Sequence, residues 1–228
     1  MNNALLSLLQ LCDPTLPIGG YAHSAGLETY VQQGAVHNLV TAKAFVTQML
    51  VQNLQYTDAA FVSLAYDAVL TNDIERLSQL DMECNAVKLC WEIREASHKL
   101  GTRLMKIFYP LLNSQTIENY RQCLALQNTK GNYCIAFGMI AGISGISKSD
   151  TLTGFYYNAA AGMVTNSVKL VPLSQQHGQE LLFSLQNLIG QLADKNMQPD
   201  KELLGFCCSG FDIRSMQHER LYSRLYMS

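Results

Sequence analysis

Along most of the chain apolar residues recur at the three- and four-residue spacing that buries one face of an α-helix. Val46, Met49, Leu50 and Leu54 follow that spacing, with Thr41 in N-cap position upstream. Phe61, Leu64, Ala65 and Ala68 repeat it after the capping pair Thr57-Asp58. Asn72-x-x-Glu75 has the form of a capping box and predicts a short helix carrying Ile74 and Leu77. A longer helix is predicted from about Glu83 to Phe108, through Ile93, Ser97, Leu100 and Leu104, with Pro110 as its stop. Ile117, Tyr120 and Leu124 mark another, closed by the turn Asn128-Thr129-Lys130-Gly131. One more starts near Asp150 and ends before Pro172. Ser174 then caps a helix presenting Leu181, Leu185, Leu188 and Leu192.

Tyr133 to Ile146 is uncharged and too short for the ~20 residues that span a bilayer, so it predicts a buried core helix. Gly138-x-x-x-Gly142 and Ala159-Ala160-Ala161-Gly162 are small enough for helices to approach closely at the centre. Alternating strand patterns with hairpin turns do not occur. The expectation is an all-α fold: a single compact bundle of about ten helices over residues 1–228, with a C-terminal partner-docking tail at about 211–228.

Composition changes this picture in one respect. Apolar residues make up 48 % of the 228 positions, but charged residues only 15 %, against about 25 % in ordinary soluble proteins. Much of the surface is therefore expected to face other proteins, and the chain to be poorly soluble when expressed alone. A net charge of −2 without a basic run argues against binding a nucleic-acid backbone, and the apolar content argues against disorder. Seven scattered cysteines and an opening without a basic n-region predict reduced, buried thiols in the cytoplasm.

Two segments escape the helical pattern. Asp13 to Tyr30 holds Pro14, Pro17 and Gly19-Gly20, then Tyr21, His23 and Ser24. Phe211 to Ser228 interleaves Arg214, Arg220 and Arg224 with Met216, Leu221, Tyr222, Leu225 and Tyr226, the residue types of interface hot spots. Ala22-His23-Ser24-Ala25-Gly26 matches a variant of the nucleophile elbow, which makes a serine hydrolase built on Ser24 the alternative reading. That elbow needs a preceding strand, and none is predicted. The glycines lack the Gly-Lys-Ser/Thr of a phosphate loop. His23, His37, His98, His177 and His218 show no metal-ligand spacing. Asp73/Glu75 and Glu92/Glu95, beside Arg76 and Arg94, read as solvated helix faces.

Three blocks carry a resemblance. They are Pro17-Ile18-Gly19-Gly20-Tyr21 running into Ser24-x-Gly26-Leu27-Glu28-Thr29-Tyr30; Asn166-x-Val168-Lys169-x-Val171-Pro172-Leu173-Ser174-Gln175; and Met216-Gln217-His218-Glu219-x-Leu221-Tyr222-Ser223-Arg224-Leu225-Tyr226-Met227-Ser228. In this order they resemble the UreF family of urease accessory proteins. The resemblance implies a non-enzymatic, dimeric chaperone for nickel insertion into urease. It implies that the chain binds the accessory protein UreH (UreD in many bacteria), recruits the nickel-carrying GTPase UreG and couples its GTP state to delivery into apo-urease. It implies no catalytic residue, no cofactor and no tight nickel site, the metal passing through the complex. Partner binding falls on Gly19, Gly20, Tyr21, Glu28, Lys169, His218, Glu219, Tyr222, Ser223 and Arg224, with Tyr21, Lys169 and Arg224 toward UreG.

Overall fold

The computed structural model describes residues 3–20, 23–24, 26–206, 208–222 and 224–227. Among them lie twelve α-helices: α1 (Asn3–Leu11), α2 (Leu27–Gln32), α3 (Leu39–Gln48), α4 (Asp58–Leu70), α5 (Ile74–Val87), α6 (Trp91–Leu112), α7 (Gln115–Ala125), α8 (Tyr133–Ile143), α9 (Lys148–Leu170), α10 (Gln175–Ser184), α11 (Gln186–Asn196) and α12 (Ser209–His218). A π-helical turn, Met49–Leu54, prolongs α3, and a short 3₁₀ turn, Lys201–Leu203, precedes α12. The described residues contain no strand. The all-α expectation holds.

The uncharged stretch is α8, buried from Cys134 to Ala141 and packed on α4, α6 and α9. A Cβ on Gly138 would stand 2.5 Å from the Val62 carbonyl oxygen, so only glycine admits α4 at that distance. In the Ala159–Gly162 run Ala160 is buried in the core, whereas Gly162 is exposed, with nothing near where its Cβ would be. α9 is the second axis and carries α2, α3, α10 and α11 along its length. The buried carboxylate of Asp81 joins α5 to the start of α8, accepting the backbone N–H groups of Lys130, Gly131 (3.0 Å) and Asn132 (2.7 Å). An anion there also meets the positive end of the helix dipole.

Element ends differ from the sequence expectation where side chains compete for the same backbone groups. Asn38, not Thr41, is the N-cap of α3; Thr41 returns the bond as the other half of a capping box. Asp73, not Asn72, caps α5 through Arg76 N–H. The helix expected from Glu83 to Phe108 is two helices. Lys88 leaves the helical path to place its ammonium on the Asp58 carboxylate (2.8 Å to each oxygen), and Arg94 takes up the freed Lys88 carbonyl at 3.0 Å. Pro110 does not stop α6, which runs on to Leu112. So near the end the missing N–H costs one bond, and Tyr109 and Leu112 still pack on the core. The leucine helix after Ser174 breaks at Leu185, although Leu181, Leu185, Ile189 and Leu192 keep one buried face across the break.

Candidate functional site

Asp13 to Tyr30 is held in place by the helices around it. Arg103 on α6 donates to the Ile18 carbonyl at 2.9 Å, and Asn166 on α9 donates to the His23 carbonyl at 2.9 Å. Gly19 has φ +86°, a backbone conformation that favours glycine, and a Cβ there would displace the Arg103 guanidinium. Gly20 is exposed. Ser24 is completely buried and no described residue before it is in a strand, unlike the strand–turn–helix setting of a nucleophile elbow. Gly26, at φ +77°, opens α2 and faces Ser215 and Phe211 so closely that a side chain would push α12 away.

That contact brings the first and third sequence blocks together. Glu28, in the first turn of α2, is 3 % exposed, and His218, the last residue of α12, is 1 % exposed. His218 Nε2 lies 3.2 Å from Glu28 Oε2, and His218 Nδ1 lies 2.7 Å from Glu92 Oε2. Each ring nitrogen thus faces a carboxylate; a doubly protonated ring donates to both, a neutral one to one only. Past α12 the chain turns and lays residues 224–227 along the start of α6. Arg224 Nη1 donates to Glu92 Oε1 at 2.9 Å. The backbone N–H groups of Leu225 and Tyr226 donate to Glu28 Oε1 and Oε2 at 2.7 and 3.2 Å. Two carboxylates therefore hold the end of the chain through five contacts: two with His218, one with Arg224 and two with the backbone N–H groups of Leu225 and Tyr226.

Glu92 is the residue that sequence reasoning misplaced. Its side chain is 10 % exposed, buried under the tail rather than on a solvated face. Its signal in the sequence is weak: an acidic residue in a first turn beside Arg94 looks like any helix start. Glu95 lies 3.5 Å from His98 and is closer to the solvated reading.

Besides Gly19 and Gly20, the sequence-predicted residues divide into four groups. Glu28, His218 and Arg224 converge on one network. Glu219 and Tyr222 are exposed on the turn between α12 and the tail. Lys169 is exposed in the last turn of α9, suited to the negative end of that helix. It lies three residues past Asn166, hence on the side of α9 that holds the His23 carbonyl. Tyr21 and Ser223 lie outside the described residues.

Between α6 and the tail is a groove of about 480 Å³, lined by His23, Trp91, Lys99, Arg224, Leu225 and Met227 among others. Burial, then the nearby Lys99 and Arg103 cations, hold the His23 ring below its usual pKa. Among the described residues no group of three or more His, Cys, Asp or Glu side chains is placed to hold a metal ion, and no helix is long and apolar enough to cross a membrane.

The model of the UreF family matches residues 36–186. The chain belongs to the UreF family. The urease accessory protein UreF of Actinobacillus pleuropneumoniae serotype 5b is 49 % identical over 222 residues, covering 97 % of this chain and 98 % of the relative. The urease accessory protein UreF of Haemophilus influenzae (strain Rd) is 48 % identical, covering 97 % of this chain and 94 % of its own. That of Lachnoclostridium phytofermentans is 34 % identical over the full length of both. The glycine loop and the tail network lie on either side of the family match, and the alignment with the Lachnoclostridium relative spans both.

Proposed function

We propose that this UreF-family chain is a maturation chaperone for urease: a dimeric scaffold in the cytoplasm that binds UreH (UreD), recruits the GTPase UreG and couples its GTP state to nickel delivery into apo-urease. It acts by binding and not by catalysis. The observation that carries this reading is the placement of Arg224. It projects from a tail that two buried carboxylates fix to the body, with 41 % of its side chain exposed. A guanidinium held on one edge keeps donors on the other for a planar, bidentate contact with a partner carboxylate.

Exposed apolar side chains support a scaffold with several partners. They form separate groups: Leu5, Leu6 and Leu9 on α1; Tyr157 on α9 with Phe183 on α10; and Trp91 with Leu225 and Met227 at the groove. Phe183 is 72 % exposed and Leu6 64 %, far more than an isolated small domain needs to leave in water. A dimer face, a UreH face and a UreG face would account for them. Nickel is cargo in this reading and passes through the complex without a tight site on this chain.

The test is recruitment of UreG by the complex of this chain with UreH. Arg224→Ala and Tyr21→Ala are each expected to lower the amount of UreG retained at least tenfold, with UreH still bound. Retention equal to wild type in both variants would remove the site assignment. Ser24→Ala tests the alternative: it should leave urease maturation intact, and loss of an esterase activity on that change would favour a hydrolase.

A further inference from the structure

We propose that Cys84 and Cys134 form a redox-active pair, which a small disulfide such as oxidised glutathione converts into a covalent tie between α5 and α8.

One stripe of α5 carries the joint. Asp81, Cys84 and Lys88 follow each other at the three- and four-residue spacing of a single helix face. Asp81 accepts the backbone N–H groups of Lys130, Gly131 and Asn132, just before α8. Lys88 closes the other end of the stripe on Asp58, at the start of α4. Between these anchors the Cys84 sulfur lies 3.4 Å from that of Cys134, in the first turn of α8. Both residues are fully buried. They are 50 positions apart in the chain, so the fold and not the local sequence brings them together.

Two thiols held this close favour one shared disulfide over two separate mixed ones. A bond takes the sulfurs from 3.4 Å to about 2.0 Å. The native fold raises the effective concentration of each thiol for the other, and by linkage the bond stabilises the fold to the same extent. In the exchange, the Cys84 thiolate attacks one sulfur of oxidised glutathione. The glutathione S–S bond breaks, and the first glutathione leaves as a thiolate that takes up the Cys84 proton. The Cys134 thiolate then attacks the Cys84 sulfur of the mixed disulfide. The protein S–S bond forms, and the second glutathione leaves with the Cys134 proton. Two protein thiols are oxidised while one glutathione disulfide is reduced to two thiols.

Burial sets the rate. It pushes the Cys134 thiol well above its ordinary pKa, the facing Cys84 sulfur adds to this, and the Lys88 ammonium acts the other way. The closed joint therefore holds almost no Cys134 thiolate. Exchange goes through opening of the end of α5, which stops at Val87, one turn beyond Cys84. The pair is slow to oxidise and, once joined, slow to reduce.

The experiment equilibrates the reduced full chain in glutathione buffers of rising oxidised share at mildly alkaline pH. Samples are quenched with acid, alkylated in denaturant and mapped by mass spectrometry. The expected product is a peptide pair linked through Cys84 and Cys134. It should be present in more than about half of the molecules where fewer than about a tenth carry glutathione on the half-buried Cys123. The linked protein should melt about 5 °C above the reduced one. Cys84→Ala should show neither the link nor the shift; if that variant does not fold, the wild-type map decides alone. Alkylation of both cysteines in every buffer, or their capture by glutathione or by other cysteines, would overturn the pair. A linked protein that melts no higher than the reduced one would overturn the tie.

Discussion

His218 lies between Glu28 and Glu92, 3.2 Å from one carboxylate and 2.7 Å from the other, although these residues are 190 and 126 positions away in the chain. The ring meets both through its two nitrogens, so it joins α2, α6 and α12 at one buried point.

Removing that ring should therefore loosen more than its own volume. His218→Ala leaves two buried carboxylates short of a partner, which costs on the order of 3 kcal/mol. Urea unfolding of the variant should show a lower midpoint, with loss of that order at neutral pH. A change below about 0.5 kcal/mol, the range of ordinary surface substitutions, would mean that the network does not hold the fold together.

Glu92 should act on the tail and less on the body. Its carboxylate holds Arg224, while the N–H groups of Leu225 and Tyr226 rest on Glu28. In Glu92→Ala the anchor before those two amides is gone, and their hydrogen exchange should rise at least tenfold with the exchange of α8 unchanged. Glu92→Gln, which keeps one accepting oxygen, should fall between the two. Equal exchange in all three proteins would show that Glu28 alone fixes the tail.

How far this site could be read from the sequence depends on the reach of each contact. α8 was legible because an apolar run without charges has one place to go, the core. The cap positions were off by one to three residues where two capping side chains stand close together, as at Asn38 and Thr41, since both make the bonds of a cap. Glu28, His218 and Arg224 were legible only as parts of motif blocks. Their meeting was not, because nothing local at Glu28 signals a histidine 190 residues on. Glu92 was illegible for the same reason, and the break at Lys88 depends on Asp58, 30 residues earlier.

That break makes a prediction of its own. The Lys88 side chain is 8 % exposed and Asp58 22 %. Burial alone would push the ammonium down, but Asp58 together with the Cys84 and Cys134 thiols more than offsets it, and the pKa ends above the ordinary lysine value. The contribution of the pair is then full below the unfolded pKa of about 10.4 and is lost as pH climbs through the raised one. Asp58→Ala, which strands the buried cation, should cost about 3–5 kcal/mol by urea unfolding at pH 7. Lys88→Met with Asp58→Ala together should cost less than Asp58→Ala alone. A double variant weaker than the single one would contradict the stranded-charge account.

Close approach at Gly138 predicts a steep dependence on size. Gly138→Ala places a Cβ 2.5 Å from the Val62 carbonyl and 3.2 Å from the Ala65 Cβ, so α4 must move, at about 1–3 kcal/mol. Gly162, exposed in α9 with open space around it, is the internal control. Gly162→Ala should be neutral or stabilise by up to about 1 kcal/mol, as alanine does in a helix. Thermal unfolding of the two variants separates packing from helix propensity, and equal shifts of the same sign would leave the α4–α8 contact without its proposed constraint.

Cys12 tests burial by chemistry rather than by stability. Its thiol sits between α1 and α9, close enough to Gly154 that a Cβ there would lie 2.9 Å from the sulfur. Burial pushes its pKa up to about 12, against about 8.5 for a free cysteine. The thiolate is the reactive form, so at pH 8.5 the unfolded chain has about half of this cysteine ionised and the folded chain almost none. Iodoacetamide at that pH should modify Cys12 at least a hundredfold more slowly in the native protein than in urea, as read by peptide mass spectrometry. The same difference means that Cys12 favours the fold fully below pH 8.5 and loses that contribution progressively between about pH 8.5 and 12. Rapid native labelling at Cys12 would show that α1 opens from α9 on the timescale of the reaction. In that case the exposed Leu5, Leu6 and Leu9 belong to a helix that leaves the body, not to a fixed face of it.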